Sequence, residues 1–171
     1  MKKILSLILM AALILTLVPA LAASPAGQIS ARFYSESSQS YGSAITTDTV
    51  QIILDGAPLS LDVPGIVQYI GTTNQGRTLI PVRTVAEPLG AEVLYVDSTR
   101  QVILSKGEDT IVLTLGSSQA TVNGQTVDLP DAVPAGVVKY QGIVRTMVPL
   151  RFVSECLGAQ VDWDGSTFTA I

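Results

Sequence analysis

Histidine is absent from this chain of 171 residues, and cysteine and tryptophan each occur once. Without histidine the commonest general base and the commonest transition-metal ligand are both missing. A histidine-held metal centre and a histidine-activated serine are therefore excluded, and no Ser-x-x-Lys run replaces the missing base. The lone Cys156 cannot close an internal disulfide, so stability must come from a packed core, and the residues beyond 48 are numerous enough to supply one. Cys156 itself reads as a small apolar filler; the alternative is an exposed thiol that pairs two chains. Basic runs are missing too. The chain carries 10 Lys and Arg against 14 Asp and Glu, which argues against nucleic acid or an anionic lipid surface as partner. Also missing are a calcium-ligand ladder and a glycine-rich phosphate loop. No cofactor or metal is expected.

The one long apolar run is at the start. Lys2 and Lys3 precede Ile4–Val18, Pro19 interrupts, and Ala20-Leu21-Ala22 offers the small residues of a cleavage site. Residues 1–22 read as a signal peptide, and the alternative is a retained anchor. Loss of residues 1–22 leaves 8 basic against 14 acidic side chains, a net charge of −6, with no transmembrane segment. Residues 23–48 are rich in Ser, Ala, Gly and Thr and lack hydrophobic periodicity, which predicts a flexible leader. Phe33, Tyr34 and Tyr41 are its aromatic residues.

From Val50 onward the chain repeats itself. Residues 77–103, RTLIPVRTVAEPLGAEVLYVDSTRQVI, and 145–171, RTMVPLRFVSECLGAQVDWDGSTFTAI, align without a gap at an offset of 68, with 13 identities in 27 positions. A repeated fold unit is implied, covering 50–103 and 118–171 within a domain at 49–171. Alternation predicts strands over Val50–Leu54 and Leu59–Val63 around Asp55-Gly56, a pair of turn residues that accept positive φ. Asn123-Gly124 repeats the device. Further strands are predicted at Glu92–Val96, Gln101–Ser105, Thr110–Leu115, Gln160–Trp163 and Thr167–Ile171, and their short connections suit antiparallel pairing. Pro81 and Pro149 mark the first residues of two helices of about nine residues, with apolar stripes Val82/Val85/Leu89 and Leu150/Val153/Leu157. Gly90 and Gly158 supply left-handed stops. Pro88 biases Glu87 away from helical geometry. Gly65–Gly76 and Asp131–Gly142 read as the longer loops.

The segments GRTLIPVRTVAEPLGAEVLYVD, VRTMVPLRFVSECLGAQVDWDG and VNGQTVDLP resemble the copper amine oxidase N-terminal-domain-like, or stalk, family over roughly Val50–Ile171. That resemblance implies an α+β module, mostly antiparallel sheet curled around short α-helices, found in secreted and surface proteins of bacteria as an accessory part. It implies no amine oxidation, because the catalytic domain of those enzymes needs copper-holding histidines. Pro88, Cys156 and the Val96 between Tyr95 and Asp97 depart from the family pattern.

Arg83/Glu87 and Arg151/Glu155 are spaced to pair on one helix face; together with Pro81, Gly90, Pro149 and Gly158 they read as a structural motif. The rival reading is an Arg clamp for a ligand carboxylate. Asp162 and Asp164 flank Trp163, an arrangement that a glycosidase could use, but acids beside turns first serve the turn. Tyr69, Asn74 and Tyr140, on the two longer loops, are the candidate ligand contacts. The sequence thus points to a non-enzymatic secreted or cell-surface accessory module, acting as spacer, scaffold or weak binder. Its alternative is a small carbohydrate- or peptide-binding envelope protein. The partners suggested are a cell-wall glycan or another envelope protein.

Overall fold

The computed structural model describes residues 27–71 and 75–171. The expected signal peptide and Asn74 lie outside the described residues. The chain runs β1 (Gln28–Ser35), β2 (Ser40–Tyr41), β3 (Ile45–Leu54), β4 (Ala57–Pro58), β5 (Gly65–Tyr69), β6 (Gly76–Pro81), α1 (Val82–Ala86) and β7 (Glu92–Val96). It continues through β8 (Gln101–Lys106), β9 (Asp109–Thr114), β10 (Gln119–Val122), β11 (Gln125–Asp128), β12 (Gly136–Tyr140), β13 (Ile143–Pro149), α2 (Leu150–Cys156), β14 (Trp163–Asp164) and β15 (Thr169–Ala170).

Six strands close on themselves in the order β3-β5-β6-β13-β12-β1, with β1 paired antiparallel to both β12 and β3. Closure leaves those six strands with no free edge over their paired residues. Ala31, Ile66, Leu79, Val138 and Met147 fill the interior and cluster with Val63 and Val133. A second sheet, β11-β10-β9-β8-β7, is an antiparallel meander. Val102, Leu104, Ile111 and Leu113 on its inner face form the larger core with the outer face of the barrel (Val50, Ile80, Val148) and with both helices (Val85, Val153, Leu157). The fold is α+β and mostly antiparallel, as expected. One pairing is parallel: β15 lies beside β3, Ala170 opposite Ile52.

Several expectations need correction. From Gln28 onward the supposed leader is sheet: β1 seals the barrel, and Phe33 packs against the interior cluster. Tyr34 and Tyr41 meet edge to face, and the Arg100 guanidinium lies 5.4 Å from the Tyr34 ring. Arg100 donates to both oxygens of Glu36, at 3.0 and 2.8 Å, which ties this segment to the second sheet and holds the guanidinium in its charged form. Leu59–Val63 is not a strand; only Ala57–Pro58 pairs back to β3 after the turn. The two longer loops contain β5 and β12 and are hairpin arms.

The helices are shorter than their sequence stripes suggest. Pro81 and Pro149 are extended cap residues, one position before the first helical turn. Glu87 keeps helical angles despite Pro88. The stops are as expected. Gly90 and Gly158 both have φ of +83°, and the amides of Ala91 and Ala159 reach back to the carbonyls of Ala86 and Ser154 at 2.9 Å. Lys106 of β8 donates from Nζ to the Leu157 carbonyl at 2.7 Å, joining the second sheet to the end of α2. Cys156 is half-buried against the larger core, and burial followed by the nearby Glu155 pushes its thiol pKa up. This is the environment of a packing residue.

Candidate functional site

The Pro-x-Arg-x-x-x-Glu motif begins each helix where a barrel strand ends. Arg83 and Glu87 pair at 3.1 Å, Arg151 and Glu155 at 3.6 Å, and all four side chains are more than half exposed. Arg151 also donates from Nη1 to the Val161 carbonyl at 2.7 Å, fastening α2 to the segment that leads into β14.

A second pair of arginines was not singled out in the sequence, although each opens the repeated block. Arg77 of β6 pairs with Asp131, and Arg145 of β13 pairs with Asp62. Asp62 immediately precedes Val63 and Asp131 stands two residues before Val133, both buried in the barrel's interior cluster. The arginines therefore latch the segments that carry these two core residues to β6 and β13.

Two grooves flank these latches. One, of about 840 Å³, is lined by Asp62, Pro81, Arg83, Tyr95 and Arg145 among others. Its Tyr95 is bound to the Arg100 guanidinium and only partly exposed. The other, of about 630 Å³, is lined by Tyr69, Arg77, Arg151, Phe152, Trp163 and Phe168, with Gln75 and Thr78 also on its wall. Trp163 is 43% exposed and is braced edge-on by Phe168, with ring centroids 5.8 Å apart. Phe168 itself is held at a φ of +52°, an uncommon conformation for a bulky residue. The turn between them is locked by Asp164. Its carboxylate accepts from the Ser166 amide at 2.9 Å, the Ser166 hydroxyl at 2.6 Å and Thr167 Oγ1 at 2.9 Å. These bonds, those from Ser166 first, hold the Asp164 carboxyl below its ordinary pKa. Gly165 lies beside the indole, where an added Cβ would come within 3.3 Å of Nε1.

Residues 53–171 match the family model described as copper amine oxidase N-terminal domain. The chain belongs to that family. The copper amine oxidase N-terminal domain is non-catalytic. No match is found among curated proteins or solved structures. The matched stretch begins inside β3, so the seam strand β1 of this amine oxidase N-terminal domain lies ahead of it.

Of the candidate contacts, Tyr69 lines the aromatic groove and its hydroxyl donates to Asp48. Tyr140 packs beside the barrel interior and accepts from Gln141 Nε2 at 2.9 Å. The structure does not bring the two tyrosines together. Each sits at the tip of its own hairpin, and the hairpins meet through antiparallel β6 and β13, so the tips point to opposite ends. Asp164 serves the turn, and Asp162 exchanges backbone hydrogen bonds with Ile171.

The latches have a pH consequence. Bonding to Arg145 holds the Asp62 carboxyl below its ordinary pKa, and bonds from Tyr69 and then Gln28 do the same for Asp48. A carboxylate with a lowered folded-state pKa contributes stability that is present above its unfolded pKa, about 3.9, and lost as pH falls through the folded value. Asp62→Asn and Asp48→Asn are each expected to flatten the stability–pH curve below about pH 4 and to leave its shape near neutrality unchanged. Urea melts at a series of acid pH values check this, and an unaltered acid limb in both variants would refute it.

Proposed function

We propose that this chain is a non-enzymatic accessory module of the secreted or cell-surface type, acting as a scaffold or weak binder. The observation that carries the reading is the use made of the repeated motif's charges. Arg83, Arg151, Arg77 and Arg145 are each paired with a carboxylate of the same fold. Paired charges at element boundaries support a fold-holding role, and the match to a non-catalytic domain points the same way. Pro81, Arg83, Glu87 and Gly90 occupy the same places around α1 as Pro149, Arg151, Glu155 and Gly158 around α2. That correspondence supports a module built by duplication at the offset of 68. The apolar start supports export, and among the described residues no helix is long and apolar enough to cross a membrane. A cell-wall glycan or an envelope protein is the proposed partner.

Exported protein is expected to begin at Ala23. The purified chain should release no peroxide from simple amines and no new reducing ends from envelope glycans. Turnover of either substrate above a heat-treated blank would overturn the non-enzymatic reading. A second reading, a small carbohydrate- or peptide-binding protein, is favoured by the exposed Trp163 in its groove.

A further inference from the structure

We infer that the groove between α2, β14 and the Tyr69 end of the β5–β6 hairpin binds a glycan chain that carries carboxylates. Three observations carry the inference. The first is the platform. Trp163 is exposed over 43% of its surface, yet Phe168 braces its edge and the Asp164 turn fixes its backbone. An aromatic ring that is both open and braced offers an apolar face at little entropic cost, and such a face suits the C–H side of a sugar ring. Tyr69 and Phe152 extend the aromatic wall.

The second is charge. In a chain with more acids than bases, the described lining of this groove contains Arg77 and Arg151 and no carboxylate. Both arginines keep 44% or more of their side chains exposed, and Arg151 makes both its contacts through Nη1 alone. A guanidinium has five donors, so both retain capacity toward an anion. The third is contrast. The other groove has the same kind of frame, with Arg83 and Arg145, but it contains Asp62, and its Tyr95 is engaged by Arg100. Only the tryptophan groove joins an exposed aromatic face to a lining whose charged groups are both arginines, their partner carboxylates Asp131 and Glu155 standing outside that lining. A volume of about 630 Å³ falls in the range of small-ligand clefts. The exposed strand beside it, β14, has two residues. That is too short an edge to hold a peptide by ladder hydrogen bonds, which favours a glycan over an acidic peptide.

The inference rests on the proposed binding module and can fail separately from it. Trp163 is the only tryptophan, so its fluorescence reports this groove directly. The full exported chain is titrated with an oligogalacturonate, a neutral cello-oligosaccharide of the same length and an oligoglutamate peptide. The expected result is a saturable fluorescence change with the oligouronate alone, weakening as salt is raised. Arg77→Gln and Arg151→Gln, which retain the reporter, should each weaken binding about tenfold, whereas Arg83→Gln in the other groove should not. Overturning results are no saturable change, equal binding of the neutral sugar, preference for the peptide, or wild-type affinity in both groove variants. Appearance of reducing ends during the titration would instead overturn the non-enzymatic reading and leave the binding assignment standing.

Discussion

A chain that begins at Ile45 is expected to lose its cooperative unfolding transition. Removing Gln28–Ser35 takes away the strand that pairs with β12 on one side and β3 on the other. It exposes two rows of backbone donors and acceptors at once and uncovers the interior that Ala31 seals and Phe33 flanks. A domain of this size is stable by about 5–15 kcal/mol, and an opened barrel with two unsatisfied edges cannot retain a large part of it. Denaturant titration followed by circular dichroism, with a dye for exposed apolar surface, checks the result. A truncated protein with the parent's midpoint and slope would show that β1 is an ornament on a domain complete without it. Ala31→Asp in the full chain is a point version of the same test. It places an acid where the residue is 1% exposed, and a cost of about 2–7 kcal/mol is expected for an unpaired polar group there.

Leu157→Ala is expected to cost about 2–5 kcal/mol, because the side chain is buried between α2 and the larger core and its removal leaves a cavity. Arg151→Ala should cost far less. Its pair with Glu155 is exposed on both sides, which is worth about 0–1 kcal/mol, and the lost bond to the Val161 carbonyl adds about 1 kcal/mol. The helix is thus held by its apolar stripe and only trimmed by its charges. Chemical denaturation of the two variants separates these contributions. Equal losses in both would mean that the ion pair carries the helix, and an undiminished Leu157→Ala protein would mean that α2 does not pack as seen.

The second sheet was legible in the sequence because one of its faces meets solvent. Its strands alternate, Asn123-Gly124 turns at φ of +50° and +78°, and Glu92–Val96 falls where the pattern placed it. The barrel was not. Its central strands are covered on both faces, so neighbours in the chain enter different cores: Leu79 and Met147 face inward, Ile80 and Val148 outward. Such strands read as continuous apolar runs without a period of two. β1 was hidden for another reason. Its alternation, Ile29, Ala31 and Phe33, is short and lies within a stretch whose Ser, Gly and Thr content reads as a leader. The motif's own pairs were visible from their spacing of four. The Arg145–Asp62 latch, 83 residues apart in the chain, had no local signal. Trp163 stands out in the sequence for the acids beside it, but the Phe168 brace depends on a turn that spacing alone does not describe.

The meeting of β1 and β15 on one strand bears on how such a module can be used. Gln28 lies opposite Asp48 and Ala170 opposite Ile52, so β1 and β15 register only about 13 Å apart along β3. Joined at both ends to other polypeptide, the domain would not lengthen the chain by its own diameter. It would hang to one side, like a bead on a short loop of thread. Its entire outer surface, the tryptophan groove included, would then turn toward neighbours rather than along the line of the parent molecule.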